Sequence, residues 1–369
     1  MQIAFRTDAS LQIGTGHIMR CLTLAHALRE RGSQSSFICR PHTGHLLDLI
    51  QKRGHRAITL APADDEFSPP ASPTHSLWLG TDWASDAEQS RQALGDQIVD
   101  WIIIDHYALD RRWEQALRPH TQRILAIDDL ADRPHDCDLL LDQNLGRLAQ
   151  DYKTLLSRST QTLIGPAYAL LRPEFAQWRE VSLRRRVFPH LKNLLITMGG
   201  VDQTNATCQV LASLAECELP ADLRITVVMG LTAPWLEHVK AQAAVMPRST
   251  QVLAGVNNMA ELLTDSDLCI GAAGSTSWER CCLGLPTIQL VLAANQKKIN
   301  AELELSRSVM PVQLDNLKYE LPRLIARLMC PDLLREMSKS AASVCDGQGV
   351  INTVRWLEKD FYENHASLQ

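Results

Sequence analysis

Apolar and polar residues alternate along the first half of the chain with two different periods. Apolar side chains recur at helical spacing from Ile18 to Leu28, which predicts an amphipathic helix over residues 18–31. Short continuous apolar runs predict buried strands at residues 1–5, 36–39, 101–105, 124–128, 139–142 and 163–165. Strands that alternate with helices in this way are typical of βαβ units in a mostly parallel sheet.

A second set of the same kind begins at residue 194. Its predicted strands lie at residues 194–197, 225–229, 251–253, 268–270 and 287–290. The helical patterns between them lie at residues 204–215, 235–244, 259–263 and 275–283. From residue 317 the pattern is helical to residue 361, with breaks near Pro331 and at residues 347–349. The two sets predict an α/β protein with two doubly wound, Rossmann-like domains facing a cleft.

The length of 369 residues fits two domains, and the pattern suggests their boundaries. Residues 1–170 form the predicted N-terminal domain. Residues 171–190 carry two prolines and three consecutive arginines, and they form a predicted interdomain connection with a solvated arginine run. Residues 191–330 form the predicted C-terminal domain, and residues 331–369 form C-terminal helices.

Charge and cysteine content narrow the classes of partner. The 37 basic residues against 42 acidic ones give a net charge of −5, which argues against nucleic-acid binding and against adsorption to an anionic membrane. No apolar run approaches the ~20 residues of a transmembrane helix. The N-terminus lacks the pattern of a signal peptide. The ten cysteines are scattered, so we expect reduced thiols in a cytoplasmic protein.

The loop after the first predicted strand carries the first candidate site. Gly14 and Gly16 allow a ligand to approach the backbone, and the start of the following helix offers free N–H groups. A dinucleotide fingerprint would require a third glycine where this chain has Met19, which disfavours NAD. His17 at this turn is either a general base that works near neutral pH or a histidine that only caps or packs at the helix start.

The second candidate site follows the predicted strand at residues 268–270. A Gly-Ser-Thr turn at residues 274–276 precedes a helix, and Glu279 lies one turn into that helix. By itself such a turn is usually an N-cap. Together with Gly200 after the first strand of this half, its amides and hydroxyls suit a phosphate, and Glu279 suits the two hydroxyls of a ribose. The combination predicts a nucleotide site.

Three acidic segments invite comparison with metal sites. Residues 136–138 and 265–267 read Asp-x-Asp, but both precede strands and therefore lie at the edge of the sheet away from the ligand loops, where solvated carboxylates are expected. Asp128 and Asp129 follow a strand, so the possibility of a metal ion at that position stays open. We predict no cofactor and assign no metal ligand.

Several of these segments resemble one known family. The stretch from Arg6 and Asp8 through residues 13–20 resembles the opening of the nucleotide-sugar hydrolases of the pseudaminic acid pathway. Further matching blocks lie at residues 104–107, 128–129, 168–172, 198–200 with Asp202 and Asn205, 274–276 with Glu279, and 295–296. They keep the order of the chain and cover nearly all of it. The second half also resembles the donor domain of the inverting N-acetylglucosaminyltransferase that makes the peptidoglycan lipid precursor.

These resemblances imply a fold and a set of site residues. Both families share the two-domain GT-B fold, which implies a GT-B-like arrangement with a nucleotide-binding C-terminal domain here. They imply that His17 is the catalytic base, that Glu279 contacts the nucleotide, and that Tyr107 and Asn295 line the sugar site. The other candidate substrate-binding residues are Gly14, Gly16, Arg20, Asp105, Arg172, Gly200, Asn205, Val256, Gly274, Ser275, Thr276 and Gln296.

The implied reaction is hydrolysis of UDP-2,4-diacetamido-2,4,6-trideoxy-β-L-altrose to UDP and the free sugar, with inversion at the anomeric carbon. A water activated by His17 attacks from the face opposite UDP, and helix-start dipoles hold the charge of the leaving group, so no paired acid is needed. Two alternatives remain, an inverting UDP-sugar-dependent glycosyltransferase and a non-catalytic nucleotide-sugar-binding protein. The acidic residues 64–66 offer no basic, apolar patch for a membrane acceptor.

Overall fold

The structure is a computed structural model that describes residues 1–64, 67–68, 70, 72–156, 159–293 and 296–366. The chain forms two compact units. The first unit contains Met1–Leu170 and the described residues from Gly349 onward, and the second contains Leu171–Gln348. Among the described residues, no helix is both long and apolar enough to span a membrane.

The first unit is built on a seven-stranded parallel sheet. Its strands are β1 (Gln2–Thr7), β2 (Gln34–Cys39), β3 (Arg56–Thr59), β4 (Val99–Asp105), β5 (Thr121–Ile127), β6 (Leu139–Asp142) and β7 (Gln161–Ile164). They pair in the order β3-β2-β1-β4-β5-β6-β7, and every pair is parallel. The helices between them are α1 (Gly16–Glu30), α2 (Leu47–Lys52), α3 (Trp83–Leu94) and α4 (Arg111–Leu117).

The strand order creates a switch point between β1 and β4. From β1 the chain moves outward to β2 and β3, and it then returns to β4 on the other side of β1. Thr7 at the end of β1 is in register with Asp105 at the end of β4. The loops that follow these two strands diverge at the carboxyl edge of the sheet, which is where open α/β sheets bind ligands.

The predicted amphipathic helix is confirmed as α1. Its apolar residues Ile18, Leu22 and Leu28 are buried and pack into one core with Phe5 of β1 and Phe37 of β2. The two phenylalanine rings stack with centroids 4.8 Å apart. Burial of this helix face fixes the start of α1, and with it His17, against the sheet.

The second unit is built on a six-stranded sheet. Its strands are β8 (Asn193–Thr197), β9 (Arg224–Met229), β10 (Ser249–Ala254), β11 (Leu268–Ala272), β12 (Thr287–Val291) and β13 (Val309–Gln313). They pair in parallel in the order β10-β9-β8-β11-β12-β13. The switch point lies between β8 and β11. The helices are α5 (Pro173–Arg185), α6 (Ala206–Ala215), α7 (Leu236–Ala244), α8 (Met259–Asp265), α9 (Thr276–Cys282), α10 (Lys297–Leu305), α11 (Leu317–Leu328) and α12 (Pro331–Val344).

The C-terminal helices differ from the predicted single segment at residues 331–369. Leu334 of α12 packs into the core of the second unit. The last helix, α13 (Gly349–Ala366), instead packs on the first unit, where Val354 and Leu357 join the core of α1. The apolar faces of these two helices are complementary to different sheets, and the amphipathic pattern alone does not tell one partner from the other.

The predicted connection at residues 171–190 is also different in the structure. It contains α5 and belongs to the second unit. Arg186 was expected to be solvated, but it is buried and donates hydrogen bonds to the carbonyl oxygens of Leu263, Ser266 and Leu283. These carbonyls stand at the ends of α8 and α9, where a helix leaves its last acceptors unpaired.

The two Asp-x-Asp segments lie at the amino edges of the sheets, as expected, but their second carboxylates are not solvated. Asp138 is buried and its Oδ2 accepts hydrogen bonds from Arg118 and from the N–H of Ile124. Asp267 is buried and accepts from the N–H groups of Lys192 and Asn193. Asp138 therefore links the start of β6 to β5, and Asp267 links the start of β11 to the start of β8.

Two edge strands were not predicted from the sequence. The strand β3 has the short sequence Arg-Ala-Ile-Thr, and its polar ends leave too few apolar residues to show the alternation typical of a strand. The strand β13 contains Pro311, which is tolerated because it lies on the outer edge of the sheet.

Candidate active site

His17 is the second residue of α1 and lies at the carboxyl edge of the first sheet. Its Nδ1 is 2.6 Å from Oδ1 of Asp105, the last residue of β4. Gly14 has a φ of +79°, which turns the loop just before the helix, and Gly16 is the first helical residue. The side chain of His17 is buried, and the residue is only 8% exposed. Two positions predicted separately from the sequence are thus in direct contact.

Asp105 determines which ring nitrogen of His17 carries the proton. Burial by itself would raise the pKa of the Asp105 carboxyl, but the charge of Arg20 and the hydrogen bonds from Arg20 and His17 hold it far below its usual range. The carboxylate therefore only accepts, and Nδ1 of His17 donates to it. The lone pair of the neutral ring is on Nε2, to which no described residue forms a hydrogen bond. The Nε2 atom is the basic nitrogen of this pair.

Arg20, one helical turn after His17, holds two carboxylates. Its Nε and Nη2 donate to the two oxygens of Asp105 at 2.6 and 2.7 Å. Its Nη1 donates to Oδ2 of Asp129 at 2.6 Å. One guanidinium against two carboxylates leaves the group with one negative charge while the imidazole is neutral. An imidazolium formed at His17 would therefore be balanced by its surroundings.

Tyr107 and Asp129 stand next to this pair. The Tyr107 hydroxyl donates to Oδ2 of Asp129 at 2.7 Å, and its ring lies edge to face with His17 at 4.6 Å between centroids. The other oxygen of Asp129, Oδ1, is buried and has no hydrogen-bond partner among the described residues. A buried acceptor without a partner suits a hydroxyl or N–H of a ligand.

The two consecutive aspartates considered as metal ligands each form an ion pair with an arginine. Asp129 is paired with Arg20, and Asp128 lies 2.7 Å from Nη1 of Arg133. Burial would raise the pKa of Asp128, but Arg133 and a hydrogen bond from His135 hold it well below its usual range. The structure therefore uses both carboxylates in ion pairs with the protein's own arginines.

Two aromatic residues at this site were missed by the sequence analysis. Trp78 stacks on Tyr107 with centroids 5.6 Å apart, and its ring is 6.4 Å from His17. His75 lies edge on to Trp78 at 4.5 Å. Burial lowers the pKa of His75, so its ring is neutral. Both side chains are partly exposed. Their segment follows a Pro- and Ser-rich stretch without a period, and only the density of aromatic residues could have indicated them.

Arg6 and Asp8 of the matching block support the site from beneath. Both are fully buried, and Nη1 of Arg6 lies 2.8 Å from Asp8. Arg6 also pairs with Asp86 at 2.6 Å, while Asp8 accepts the backbone N–H of Arg40 at 2.7 Å. These contacts tie the loop after β1 to β2 and α3. The role of Arg6 and Asp8 is therefore to hold the loop that leads to His17.

The predicted nucleotide residues of the second unit gather at the β8–β11 switch point. Gly274 follows β11 with a φ of +157°, and its N–H donates to the hydroxyl of Ser277 at 3.3 Å. Ser275 is the N-cap residue of α9, and Thr276 is the first residue of that helix. Glu279 follows one turn later and is partly buried.

The charge of Arg172 acts on Glu279 although more than a hundred residues separate the two in the sequence. Burial raises the pKa of Glu279 to about 7, and the charges of Arg172 and Arg280 act in the opposite direction. Arg172 is the N-cap residue of α5, and its Nη1 lies 3.0 Å from Glu174. A carboxyl with this pKa changes its charge near neutral pH.

The loop after β8 carries Gly200 and Asn205 in a tight conformation. Asp202 and Asn205 have φ values of +48° and +52°, a region that costs residues other than glycine about 1–3 kcal/mol each. Asp202 accepts the N–H groups of Ala206 and Thr207, both at 2.9 Å, and so caps α6. The side-chain oxygen of Asn205 is buried without a partner among the described residues. Strain and an unpaired acceptor at a switch point are typical of a ligand loop.

The remaining predicted residues lie after β10 and β12. Val256 is partly buried and follows Gly255, whose φ is +63°. Gln296 is the N-cap residue of α10, and its Oε1 accepts the N–H of Leu292 at 2.8 Å. Asn295 lies outside the described residues.

Solved structures of similar fold place the chain in the GT-B class. MurG of Acinetobacter baumannii matches with a TM-score of 0.66 and 19% identity over 97% of this chain and 99% of that chain. The calicheamicin glycosyltransferase CalG4 matches with a TM-score of 0.60 and 14% identity over 97% of both chains. The UDP-GlcNAc 2-epimerase of Neisseria meningitidis bound to UDP-GlcNAc matches with a TM-score of 0.59 and 12% identity over 97% of this chain and 100% of that chain. The predicted GT-B-like α/β fold with two Rossmann-like domains is confirmed.

Two proteins of assigned function or pathway are similar to this chain in sequence. The UDP-2,4-diacetamido-2,4,6-trideoxy-β-L-altropyranose hydrolase of Campylobacter jejuni is 28% identical over 300 residues, which are 81% of this chain and 91% of that protein. The spore coat polysaccharide biosynthesis protein SpsG of Bacillus subtilis is 26% identical over 212 residues, 56% of this chain and 60% of that protein. The resemblance to the pseudaminic acid pathway hydrolases is confirmed.

The lengths of the relatives differ. An uncharacterized protein of Methanocaldococcus jannaschii, MJ1062, is 25% identical over 295 residues, 79% of this chain and 55% of that protein. The match thus spans about half the length of the archaeal relative and somewhat more of SpsG. No model of a protein family matches the chain.

Proposed function

We propose that this protein hydrolyses a UDP-sugar, with UDP-2,4-diacetamido-2,4,6-trideoxy-β-L-altropyranose as the substrate and UDP and the free sugar as products. The observation that carries the proposal is the 2.6 Å contact between Nδ1 of His17 and the buried Asp105, because it leaves Nε2 as a base at the ligand edge of the sheet. The similarity to the Campylobacter jejuni hydrolase supports the choice of sugar. We place the enzyme in the cytoplasm and assign it no cofactor.

In the proposed step, Nε2 of His17 takes a proton from a water molecule. The water oxygen forms the bond to the anomeric carbon as the bond from that carbon to the UDP oxygen breaks, and the electron pair leaves with UDP. Asp105 keeps the proton of the ring on Nδ1 and stabilises the imidazolium. One displacement of this kind inverts the anomeric configuration. His17 later returns the proton to solvent.

The sugar is assigned to the residues around His17. The unpartnered Oδ1 of Asp129 accepts a hydroxyl or acetamido N–H, and Tyr107 and Trp78 present aromatic surface to the apolar parts of the sugar. An acetamido methyl group and a 6-deoxy carbon are apolar groups of this kind. Arg20 keeps Asp105 and Asp129 at a fixed separation.

The nucleotide is assigned to the second unit. Glu279 accepts the two ribose hydroxyls, backbone groups near Val256 read the uracil, and the diphosphate lies at residues 274–276 with Gly200. Asn205 contributes its unpartnered side-chain oxygen. UDP is a good leaving group when positive charge and N–H donors hold its phosphates, which explains why no acid paired with His17 is needed.

An inverting glycosyltransferase is the second candidate, because MurG and CalG4 share the fold. Incubation of the purified protein with candidate UDP-sugars and no acceptor separates the two. We expect UDP release, and early proton NMR of the released sugar should report inversion before mutarotation. UDP release that requires an added sugar or lipid acceptor would establish the transferase instead, and retention of configuration would exclude the single displacement.

A further inference from the structure

Arg280 is a buried cation at the nucleotide loop that the proposed function does not use. It is 2% exposed, and it follows Glu279 in α9. No carboxylate of the described residues lies within salt-bridge distance of its guanidinium, in contrast to the buried Arg6, Arg20 and Arg133, which are all paired with aspartates. A buried charge without a counter-ion is costly, so an anion bound beside Arg280 would stabilise it. Arg186 is also buried without a carboxylate partner among the described residues, but it is held by carbonyl oxygens at the ends of α8 and α9, whereas Arg280 contacts Thr276 of the nucleotide loop.

Neutral acceptors hold the guanidinium in one orientation. Nη2 donates to the carbonyl oxygen of Ala272 at 2.9 Å, to Oγ of Ser277 at 3.0 Å and to Oε1 of Gln289 at 2.9 Å. Nη1 donates to Oγ1 of Thr276 at 3.1 Å. These partners satisfy hydrogen bonds but carry no charge, so they do not cancel the positive potential of Arg280.

The contact with Thr276 directs a second donor. Because Oγ1 of Thr276 accepts from Arg280, its own hydroxyl hydrogen is free to point to another acceptor. The backbone leaves room for this arrangement only because residue 271 is glycine. A Cβ at Gly271 would lie 2.8 Å from Nη1 of Arg280. The side chain would displace the guanidinium.

Glu279 balances the charge of Arg280 only in part in the free protein. Its pKa of about 7 leaves the carboxyl substantially protonated at neutral pH, even though Arg280 and Arg172 favour its ionised form. The loop at residues 274–276 therefore adjoins a permanent positive charge that is at most partly balanced.

We propose that Arg280 is a positioning residue for the diphosphate of the nucleotide. It orients the Thr276 hydroxyl toward a phosphate oxygen and supplies the positive potential that stabilises the diphosphate as bound ligand and as leaving group. This inference rests on the proposed function, since it takes UDP as the ligand of the second unit. The proposal assigns Arg280 to the diphosphate, and Arg280 affects the ribose contact only by favouring the ionised form of Glu279.

Calorimetric titration of UDP and of uridine into Arg280→Met and Arg280→Lys at about pH 8.5 tests the proposal, because at this pH Glu279 is ionised even when loss of the Arg280 charge raises its pKa. We expect Arg280→Met to lower the affinity for UDP by about tenfold or more while the affinity for uridine stays near that of the wild type. Arg280→Lys keeps the charge and should restore most of the UDP affinity. Arg323→Met, an exposed arginine of α11, serves as the control and should change neither affinity.

A purely structural role predicts a different pattern. If Arg280 only holds Ala272, Ser277 and Gln289 in place, the methionine variant should lose uridine and UDP affinity by the same factor, and this result would overturn the inference. If Arg280→Met does not fold, Thr276→Val decides, because it removes the hydroxyl that Arg280 orients and should weaken the binding of UDP but not that of uridine. An unchanged UDP affinity in Thr276→Val, or an equal loss for both ligands, would also overturn the inference. A wild-type protein that binds no UDP would refute the proposed function itself, whereas wild-type binding with unselective variants would refute only the role of Arg280.

Discussion

Nδ1 of His17 lies 2.6 Å from Oδ1 of Asp105, although 88 residues separate them in the sequence. His17 begins the helix that follows β1, and Asp105 ends β4, so the parallel pairing of these two strands brings the residues to one edge of the sheet. Arg20 keeps the carboxylate ionised in a buried position. The base and its orienting partner are therefore in place in the free protein, which is the preorganisation that lowers the barrier of a charged step.

Replacement of the base should separate chemistry from binding. We expect His17→Asn to lower kcat by about 10²–10⁴, the usual contribution of a general base. UDP affinity should be unchanged, because the residues assigned to the nucleotide lie in the other unit. Rates of UDP release and calorimetric titration of UDP measure the two quantities. His190→Asn, at an exposed histidine, is the control. Near-normal turnover in His17→Asn would remove this residue from the mechanism.

The orienting carboxylate gives a second prediction. In Asp105→Asn the amide can donate to Nδ1, which places the ring proton on Nε2 and removes the base. We expect kcat to fall by as much as the ~10²–10⁴ that the base supplies, with UDP affinity retained. Asp100→Asn, near the other end of β4, is the matched control. Thermal unfolding must accompany the assay because Arg20 loses a charged partner. A folded Asp105→Asn enzyme with wild-type kcat would show that Asp105 does not orient His17.

The raised pKa of Glu279 predicts pH-dependent nucleoside binding. Only the carboxylate accepts both ribose hydroxyls, so the fraction of ionised Glu279 limits affinity. With a pKa of about 7, uridine affinity should rise about tenfold from pH 6 to pH 8. Uridine is preferred to UDP because a phosphate titrates in the same range.

Glu279→Gln should remove this pH dependence and weaken uridine binding at pH 8 by about 1.5–3 kcal/mol, the range for hydrogen bonds to a charged group. Glu336→Gln, at an exposed glutamate of α12, should behave as the wild type. An affinity for uridine that stays constant across this range in the wild type would contradict the assignment of Glu279.

The raised pKa of Asp142, the last residue of β6, predicts that the free energy of unfolding depends on pH. Burial and the charge of Asp129 raise the pKa of Asp142 to about 7 from an ordinary value of 3.8. The folded state thus holds a proton that the unfolded state has lost, so this contribution is fully present below about pH 4 and is lost as the pH rises to 7. The slope attributable to it is about 1.4 kcal/mol per pH unit at most.

Two neighbours oppose this shift without cancelling it. Nε of Arg147 donates to Oδ2 of Asp142 at 2.7 Å, and the hydroxyl of Tyr152 lies 2.8 Å from the same oxygen and 3.0 Å from Oδ2 of Asp128, so its single hydrogen is shared between two carboxyls. The pKa of Asp142 nevertheless stays raised to about 7. The free energy of unfolding of Asp142→Asn should therefore fall less steeply between pH 5 and pH 7 than that of the wild type. Asp48→Asn, at an exposed carboxyl, should keep the wild-type slope. Parallel curves for wild type and Asp142→Asn would contradict the raised pKa.

Metal independence is the last prediction. Asp128 and Asp129 both form ion pairs with arginines, and the phosphate charge is assigned to protein donors. Hydrolysis should therefore persist after dialysis against excess EDTA. Loss of UDP release with EDTA and its recovery on addition of Mg²⁺ or Mn²⁺ would contradict the assignment and direct attention to these two aspartates.

The periods of apolar residues were sufficient to predict most of the fold. Helix α1 and the central strands β4 and β11 are buried on both sides or along one full face, so their sequences carry a strong pattern. The edge strands β3 and β13 were missed because one side of an edge strand pairs with nothing and tolerates polar residues or proline. The other two edge strands, β7 and β10, were predicted, so an edge position weakens the pattern without always hiding it.

By itself the sequence determined the local elements and the loops that carry chemistry, because glycine turns, helix starts and strand ends are encoded within a few neighbouring residues. Only the tertiary structure decided the partners. The pairing of His17 with Asp105, the position of Trp78 against Tyr107, and the buried charge of Arg280 depend on strand order and on burial. The same holds for α13, whose apolar face is complementary to the first unit although the chain has just left the second. Such contacts join residues that are distant in the chain, and the spacing of apolar positions does not specify which distant surface a side chain contacts.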